Sequence, residues 1–366
     1  MKLTLLTSLL LCFITLTYAV ADGHKPNGHS MANSAVVFMY HHFNASEYPD
    51  TNVSLEQFEA HLNHLATEGY RVRPLEHIIA DLQQGKILAD KTVAITMDDA
   101  YISIYTEAWP RLRQRGWPFT VFVSTEIIDQ ASTAYMSWEQ MREMREHGAS
   151  FANHSRHHDH MIRFRPDESQ SEWTERTQAD IEYAQQRLDD ELGIAPKIFA
   201  YPYGEYNVAL KRIVKKLGYT AFGQHSGAFT IKPYTDQQQL PRYPLASHYA
   251  SIEEFKTKAA SLSLPVISAL PDNPLTQDMQ PLLTVKLDQA IINANAIQVE
   301  QLQCYVSGQG HTPIRWLEKN LFTLRAKTPL AVGRNRYNCT APSTVTNQFY
   351  WFSRLWIVAD KKTDRQ

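Results

Sequence analysis

The sequence predicts an α/β fold, a (β/α) barrel, followed by a small β-rich segment. Three observations predict it. Short β-rich runs alternate with segments of helical spacing over roughly residues 35–222, and parallel strands are the kind that need crossover helices. Asp98-Asp99, His154 and Tyr203 each stand just after a run of strand length, as residues do where the C-terminal ends of barrel strands converge on one rim. The alternation stops after about residue 262, where Pro265, Pro271, Pro274 and Pro281 punctuate the chain. Alternation alone also fits an open doubly wound sheet; the placement of the polar residues favours the barrel.

The N-terminus reads as a secretory signal. Lys2 precedes an apolar run from Leu3 to Val20 that closes on Ala19-Val20-Ala21, before polar Asp22-Gly23-His24. Small residues there suit cleavage after Ala21, and the run is short for a membrane-anchoring helix. Cys12 has no lipobox residues before it. Residues 22–33, rich in Gly, His, Asn and Ser, read as a flexible lead. The barrel domain is then expected over residues 34–262, and a β-rich accessory domain over residues 263–366.

Within the barrel, strands are expected at Ala35 to Met39, Thr92 to Thr96, Phe119 to Val123, Ser150 to Ala152, Lys197 to Ala200 and Thr220 to Phe222. Helices are expected at Leu55 to Glu68, Tyr105 to Gln114, Trp138 to His147, Ala179 to Leu192 and Val208 to Leu217. Beyond residue 262, the runs Leu302 to Val306, Leu321 to Leu324 and Phe349 to Val358 lack helical periodicity. Gly333 to Cys339 reads as a junction of turn and strand. The aromatics at Phe349-Tyr350-Trp351-Phe352 and Trp356 fit a small β core better than a sugar-stacking surface.

Composition narrows the function classes. At 366 residues, 43% hydrophobic and 20% charged, the chain is globular and long enough for two domains. Its net charge of -2 lacks the basic footprint that counterion displacement on nucleic acid requires. With the signal removed, Cys304 and Cys339 remain in an exported chain, where an even count fits one disulfide. Two separately buried thiols are the alternative.

Three segments carry chemistry. In Thr96-Met97-Asp98-Asp99-Ala100 a strand runs into two carboxylates that repel, so one needs a cation; a helix N-cap pair is the simpler reading. In His154-Ser155-Arg156-His157-His158, the outer histidines stand four apart, a spacing that on a helical turn puts both imidazoles on one face. His157 and His160 leave another register open. In Ala200-Tyr201-Pro202-Tyr203-Gly204, Pro202 and Gly204 force a sharp turn able to aim a backbone N–H into a site.

Together these segments resemble the polysaccharide deacetylases of carbohydrate esterase family 4, the NodB homology family, over roughly residues 33–260. The resemblance implies a distorted barrel followed by a sandwich-like segment, and hydrolysis of acetyl groups from a polysaccharide. It implies that Asp98 is the catalytic base and that Asp99, His154 and His158 are metal ligands. The Tyr203 N–H would help hold the oxyanion, beside Pro202. The family's arginine that orients the base is replaced by Ala200, for which Arg242, in Leu240-Pro241-Arg242-Tyr243, is a substitute, here placed with the substrate-binding residues. No late Leu-x-His motif supplies a general acid. His41, His225 and His248 are candidates for it, His41 foremost.

Met39-Tyr40-His41-His42-Phe43 and these departures resemble the branch that de-N-acetylates poly-N-acetylglucosamine. The implied cofactor is a divalent metal, Zn2+ first, with Co2+, Ni2+ or Fe2+ able to use the same ligands. The partners expected are an acetylated polysaccharide or oligosaccharide, with no nucleic acid and no stable membrane anchor, in the periplasm or outside the cell. A noncatalytic carbohydrate-binding or scaffolding protein on the same fold is the rival reading.

Overall fold

The computed structural model describes residues 33–293, 296–344 and 347–359. The expected signal sequence and all but the last residue of the expected lead lie outside the described residues. Among the described residues no helix is long and apolar enough to cross a membrane.

One eight-stranded, all-parallel sheet forms the first part of the chain. Its order is Tyr243–Pro244, Val36–Tyr40, Thr92–Asp98, Phe119–Val123, Ala149–Asn153, Ile198–Ala200 and Thr220–Phe222, with Arg71–Val72 pairing beside the start of Thr92–Asp98. Leu240 bridges to Phe222 on one side, and Tyr243 pairs with Phe38 on the other. The segment spanning residues 240–244 thus joins the two ends of the sheet, giving the distorted barrel that the sequence predicts.

All seven residues of Thr92–Asp98 are buried, as expected of a parallel strand covered on both faces. Alternation divides them. Val93, Ile95 and Met97 join Phe38, Val121 and Phe151 in one core. Ala94 joins Val37, Phe122, Ala152, Ala200 and Phe222 in another, and by the two-residue period Thr96 and Asp98 share the face of Ala94. Asp98 is paired in register with Phe122, which pairs with Ala152. A charged side chain is therefore carried into the barrel by the strand's own alternation.

The covering helices start where local chemistry favours them. Ser54, Ser137 and Ser169 each close a capping box, with Gln57, Gln140 and Glu172, at the helices Leu55–Thr67, Trp138–Arg145 and Gln170–Leu192. Two expectations are corrected. The helix foreseen over Tyr105 to Gln114 opens as a π-helical turn, Ile104–Ala108, and is α-helical only over Trp109–Gln114; Pro110 has no N–H for the carbonyl four residues back. Gly333 to Cys339 contains no turn but belongs to a ten-residue strand, Gly333–Pro342, in which Asn335, Tyr337, Cys339 and Ala341 are the buried alternate set.

Beyond the barrel lie two further sheets. One joins Leu262–Ser263, Phe349–Val358, Gly333–Pro342, Gln303–Val306 and Gly310–Thr312, with Leu275–Thr276 also on Phe349–Val358. The other, antiparallel, joins Val266–Leu270, Leu283–Leu287, Leu321–Leu324 and Ile314–Glu318. Val285, Phe322, Tyr337 and Trp356 share the core of this region. Cys304 and Cys339, directly opposed on neighbouring strands, form the disulfide.

Candidate active site

Asp98 ends its strand, and the chain then turns through two left-handed residues, Asp99 with φ 71° and Ala100 with φ 57°. The Asp99 N–H still donates to the Phe122 carbonyl at 3.0 Å, which holds the turn on the sheet. The two carboxylates consequently meet different partners. Neither serves as a helix N-cap.

Asp98 is fully buried and accepts two hydrogen bonds from Arg242, from Nη1 at 2.7 Å and Nη2 at 2.8 Å. The guanidinium also lies 4.9 Å from the centre of the Phe122 ring and donates from Nε to the Gly223 carbonyl. Burial alone would raise the Asp98 carboxyl, but the Arg242 charge, then His154, hold it below the usual carboxylate range. Arg242 thus stands against Asp98 as a bidentate partner, where Ala200 offers none. Its grouping with residues that touch substrate is corrected: its side chain has no exposed surface.

His154 follows the strand Ala149–Asn153, its N–H donating to the Val123 carbonyl at 3.0 Å. The helical turn foreseen between His154 and His158 does not form. Ser155 and His158 both have positive φ, and the loop is tied instead by the Ser155 N–H to Asn153 Oδ1 and by the His158 N–H to Ser155 Oγ. This tight loop still brings the imidazoles together, with His154 and His158 ring centres 4.9 Å apart.

Donor atoms of Asp99, His154 and His158 all lie within 4.8 Å of one another. His158 Nε2 is 3.1 Å and His154 Nε2 is 3.4 Å from Asp99 Oδ1. His154 Nδ1 lies 2.7 Å from the Ala200 carbonyl. A proton on Nδ1 satisfies that carbonyl and leaves Nε2 with a lone pair, buried and without a hydrogen-bond partner. An orphaned imidazole nitrogen beside a carboxylate and a second imidazole fits a divalent cation. Burial would raise the Asp99 carboxyl, and His154 and His158, when they carry protons on Nε2, outweigh it and hold Asp99 well below the usual range.

The spare histidines have other partners. His157 pairs with Asp180 on the long helix, and His160 bonds Glu205 at 2.8 Å while stacking on Tyr203, ring centres 3.9 Å apart. Of the acid candidates, His41 Nε2 stands 4.0 Å from Asp98 Oδ2. Burial lowers its pKa, against the pull of Asp98 and Asp99. The His225 ring packs against Tyr206, with burial pushing it down to about 3, and it touches none of the three clustered residues. The side chain of His248 lies outside the described residues.

Tyr203 has φ 57° and ψ 4° between Pro202 and Gly204. Its ring lies 4.6 Å from that of His158, and its N–H has no acceptor among the described residues. Pro202 is buried, so it shapes the turn and offers little surface to a ligand. Sequence reasoning missed an aromatic stack on the same rim. His42 lies between Tyr48 and Tyr101, at 4.3 and 3.6 Å, and Tyr101 stacks on Tyr135 at 5.1 Å. The available signal was the position of His42 and Tyr101 just beyond strand ends.

Residues 85–222 match the sequence model of the polysaccharide deacetylase family. That stretch is similar to a polysaccharide deacetylase domain. All three clustered residues fall within the matched stretch, whereas Arg242 and His41 fall outside it. YxkH of Bacillus subtilis (strain 168), a protein assigned to the polysaccharide deacetylases, is 29% identical over 183 residues, covering 50% of this chain and 61% of the relative. The poly-beta-1,6-N-acetyl-D-glucosamine N-deacetylase of Escherichia coli (strain K12) is 26% identical over 229 residues, covering 52% of this chain and 33% of the relative. The chain thus spans less than two thirds of the length of either. In fold, the domain is similar to the Streptococcus pyogenes deacetylase PplD, with TM-score 0.55 and 24% identity over 62% of this chain and 98% of that one.

Proposed function

We propose that the chain is an exported, metal-dependent deacetylase that hydrolyses N-acetyl groups of N-acetylglucosamine units in a polysaccharide, releasing acetate. The observation that carries the reading is the orphaned His154 Nε2 facing Asp99 and His158, next to an Asp98 held ionised by Arg242. Asp99, His154 and His158 would hold the metal, Zn2+ before Co2+, Ni2+ or Fe2+. Such a metal acts as a Lewis acid and lowers the pKa of water to about 7.

The protein's own groups then divide the work. Asp98, ionised and fixed by a bidentate ion pair, accepts the proton of the attacking water. The Tyr203 N–H stabilises negative charge on the acetyl oxygen, a kind of contact worth roughly 10²-fold or more in rate. His41, neutral at rest because of its burial, is the group next to Asp98 able to take up that proton and pass it to the departing nitrogen. Tyr48, half exposed at the outer end of the stack with His42, supplies an aromatic face beside the site for a sugar ring. N-acetyl rather than O-acetyl cleavage is favoured by the similarity to the N-deacetylase of Escherichia coli.

The test is acetate release by zinc-loaded protein from β-1,6- and β-1,4-linked N-acetylglucosamine oligomers and from acetylated xylan. Release is expected from the first, at higher kcat/KM than from xylan. Glycan binding without release from any of them would favour the noncatalytic reading.

A further inference from the structure

We propose that Arg334 of the accessory sheet is a positioning residue for the Tyr203 turn, so that the β-rich region completes the deacetylase site. The inference rests on the function proposed above. Tyr203 sits in the left-handed region, which disfavours any residue with a Cβ, and such a conformation persists only where its surroundings over-determine it. The turn's own bonds are two, Gly204 N–H to the Tyr201 carbonyl at 2.8 Å and Glu205 N–H to the Pro202 carbonyl at 3.1 Å.

The rest of the hold comes from far along the chain. The Arg334 guanidinium donates to the Tyr203 carbonyl and, at 3.1 Å, to Gln224 Oε1. Two residues on, Arg336 Nη2 donates to the Gln224 carbonyl at 2.7 Å. Gln224 is pressed against the turn: a Cβ placed on Gly204 would lie 2.5 Å from Gln224 Cβ, so only glycine lets them meet. The path therefore runs from the strand Gly333–Pro342 through Gln224 to Gly204 and Tyr203.

That strand is a firm support. It pairs along all ten residues with Phe349–Val358 and carries Cys339 of the disulfide. The Tyr203 carbonyl and N–H flank one Cα, so pinning the carbonyl restricts where the N–H can point. Arg334 itself is exposed.

The experiment compares full-length wild type, Arg334→Met, Arg334→Lys and the distant control Arg315→Met, all loaded with zinc. Acetate release is measured from N-acetylglucosamine oligomers, together with amide hydrogen exchange at Gly204 and Glu205. Arg334→Met is expected to lower kcat by about 10-fold or more, as a misaligned reacting group does. KM should stay within about two-fold, and exchange at the two amides should quicken. Lysine, which keeps one donor, should restore part of the rate, and Arg315→Met should match wild type. Unchanged kcat and unchanged exchange in Arg334→Met beside an active wild type would overturn this proposal alone. A wild type that releases no acetate would overturn the reading of the site and this proposal with it.

Discussion

Arg242 and Asp98 face each other as a bidentate ion pair with neither side chain exposed, although 144 residues separate them in sequence. Taking one partner from a buried pair leaves the other charge uncompensated, at a cost of about 3–5 kcal/mol. Arg242→Met should therefore destabilise the barrel by about that amount at pH 7, read from urea unfolding. Because the folded-state pKa of Asp98 is depressed, its contribution is present above the unfolded carboxylate pKa, about 4, and is lost as pH falls through the folded value. The gap between variant and wild type should accordingly narrow as pH falls below about 4. An equal gap at both pH values would refute the pairing.

Asp98 should separate by function from the cluster of Asp99, His154 and His158. Asp98→Asn keeps an acceptor for Arg242 and leaves Asp99, His154 and His158 untouched, so zinc binding by calorimetry should persist while kcat falls by about 10²-fold or more. His154→Ala removes a proposed ligand and should lose both binding and turnover. Similar kcat in wild type and either variant would contradict the division.

His41 should matter for turnover without holding the metal. His41→Phe is expected to lower kcat by about 10²-fold or more, within the range of general acid–base catalysis, with zinc affinity unchanged. A variant that keeps full kcat would return the proton transfer to another group.

The disulfide should act on the accessory region. Cys304 and Cys339 close a loop of 35 residues, for which chain entropy gives roughly 3–4 kcal/mol. Cys304→Ala with Cys339→Ala should lower the melting temperature of that region, and kcat should fall as well if the strand carrying Arg334 steadies the Tyr203 turn. A melting temperature unaffected by the double substitution would show that the bond contributes nothing.

Much of this fold was legible because six of the eight sheet strands are short β-rich runs between helical segments, whereas Arg71–Val72 and Tyr243–Pro244 are too short to read. Phe119 to Val123 and Thr220 to Phe222 were readable to the residue as unbroken β-rich runs. The helix Leu75–Gln83 escaped notice because Pro74 and a polar surround obscure its start. Asp99, His154 and His158 were readable as motif residues, yet the helical turn imagined for the histidines was wrong, since Ser155 and His158 need positive φ and spacing alone carries no dihedral. Arg242 was only a suggestion. Its partner is fixed by the pairing of Tyr243 with Phe38 across the barrel, and no local pattern encodes that. The stack from Tyr48 to Tyr135 stayed hidden for the same reason, as its rings come from separate loops.

The most direct measurement is acetate release from a β-1,6-linked N-acetylglucosamine oligomer by protein stripped with a chelator and then reloaded with zinc. Release should vanish on stripping and return on reloading in wild type, and should fail to return in His154→Ala. Equal release by the stripped and reloaded protein, or none from the wild type with any divalent metal, would contradict a deacetylase built on Asp99, His154 and His158.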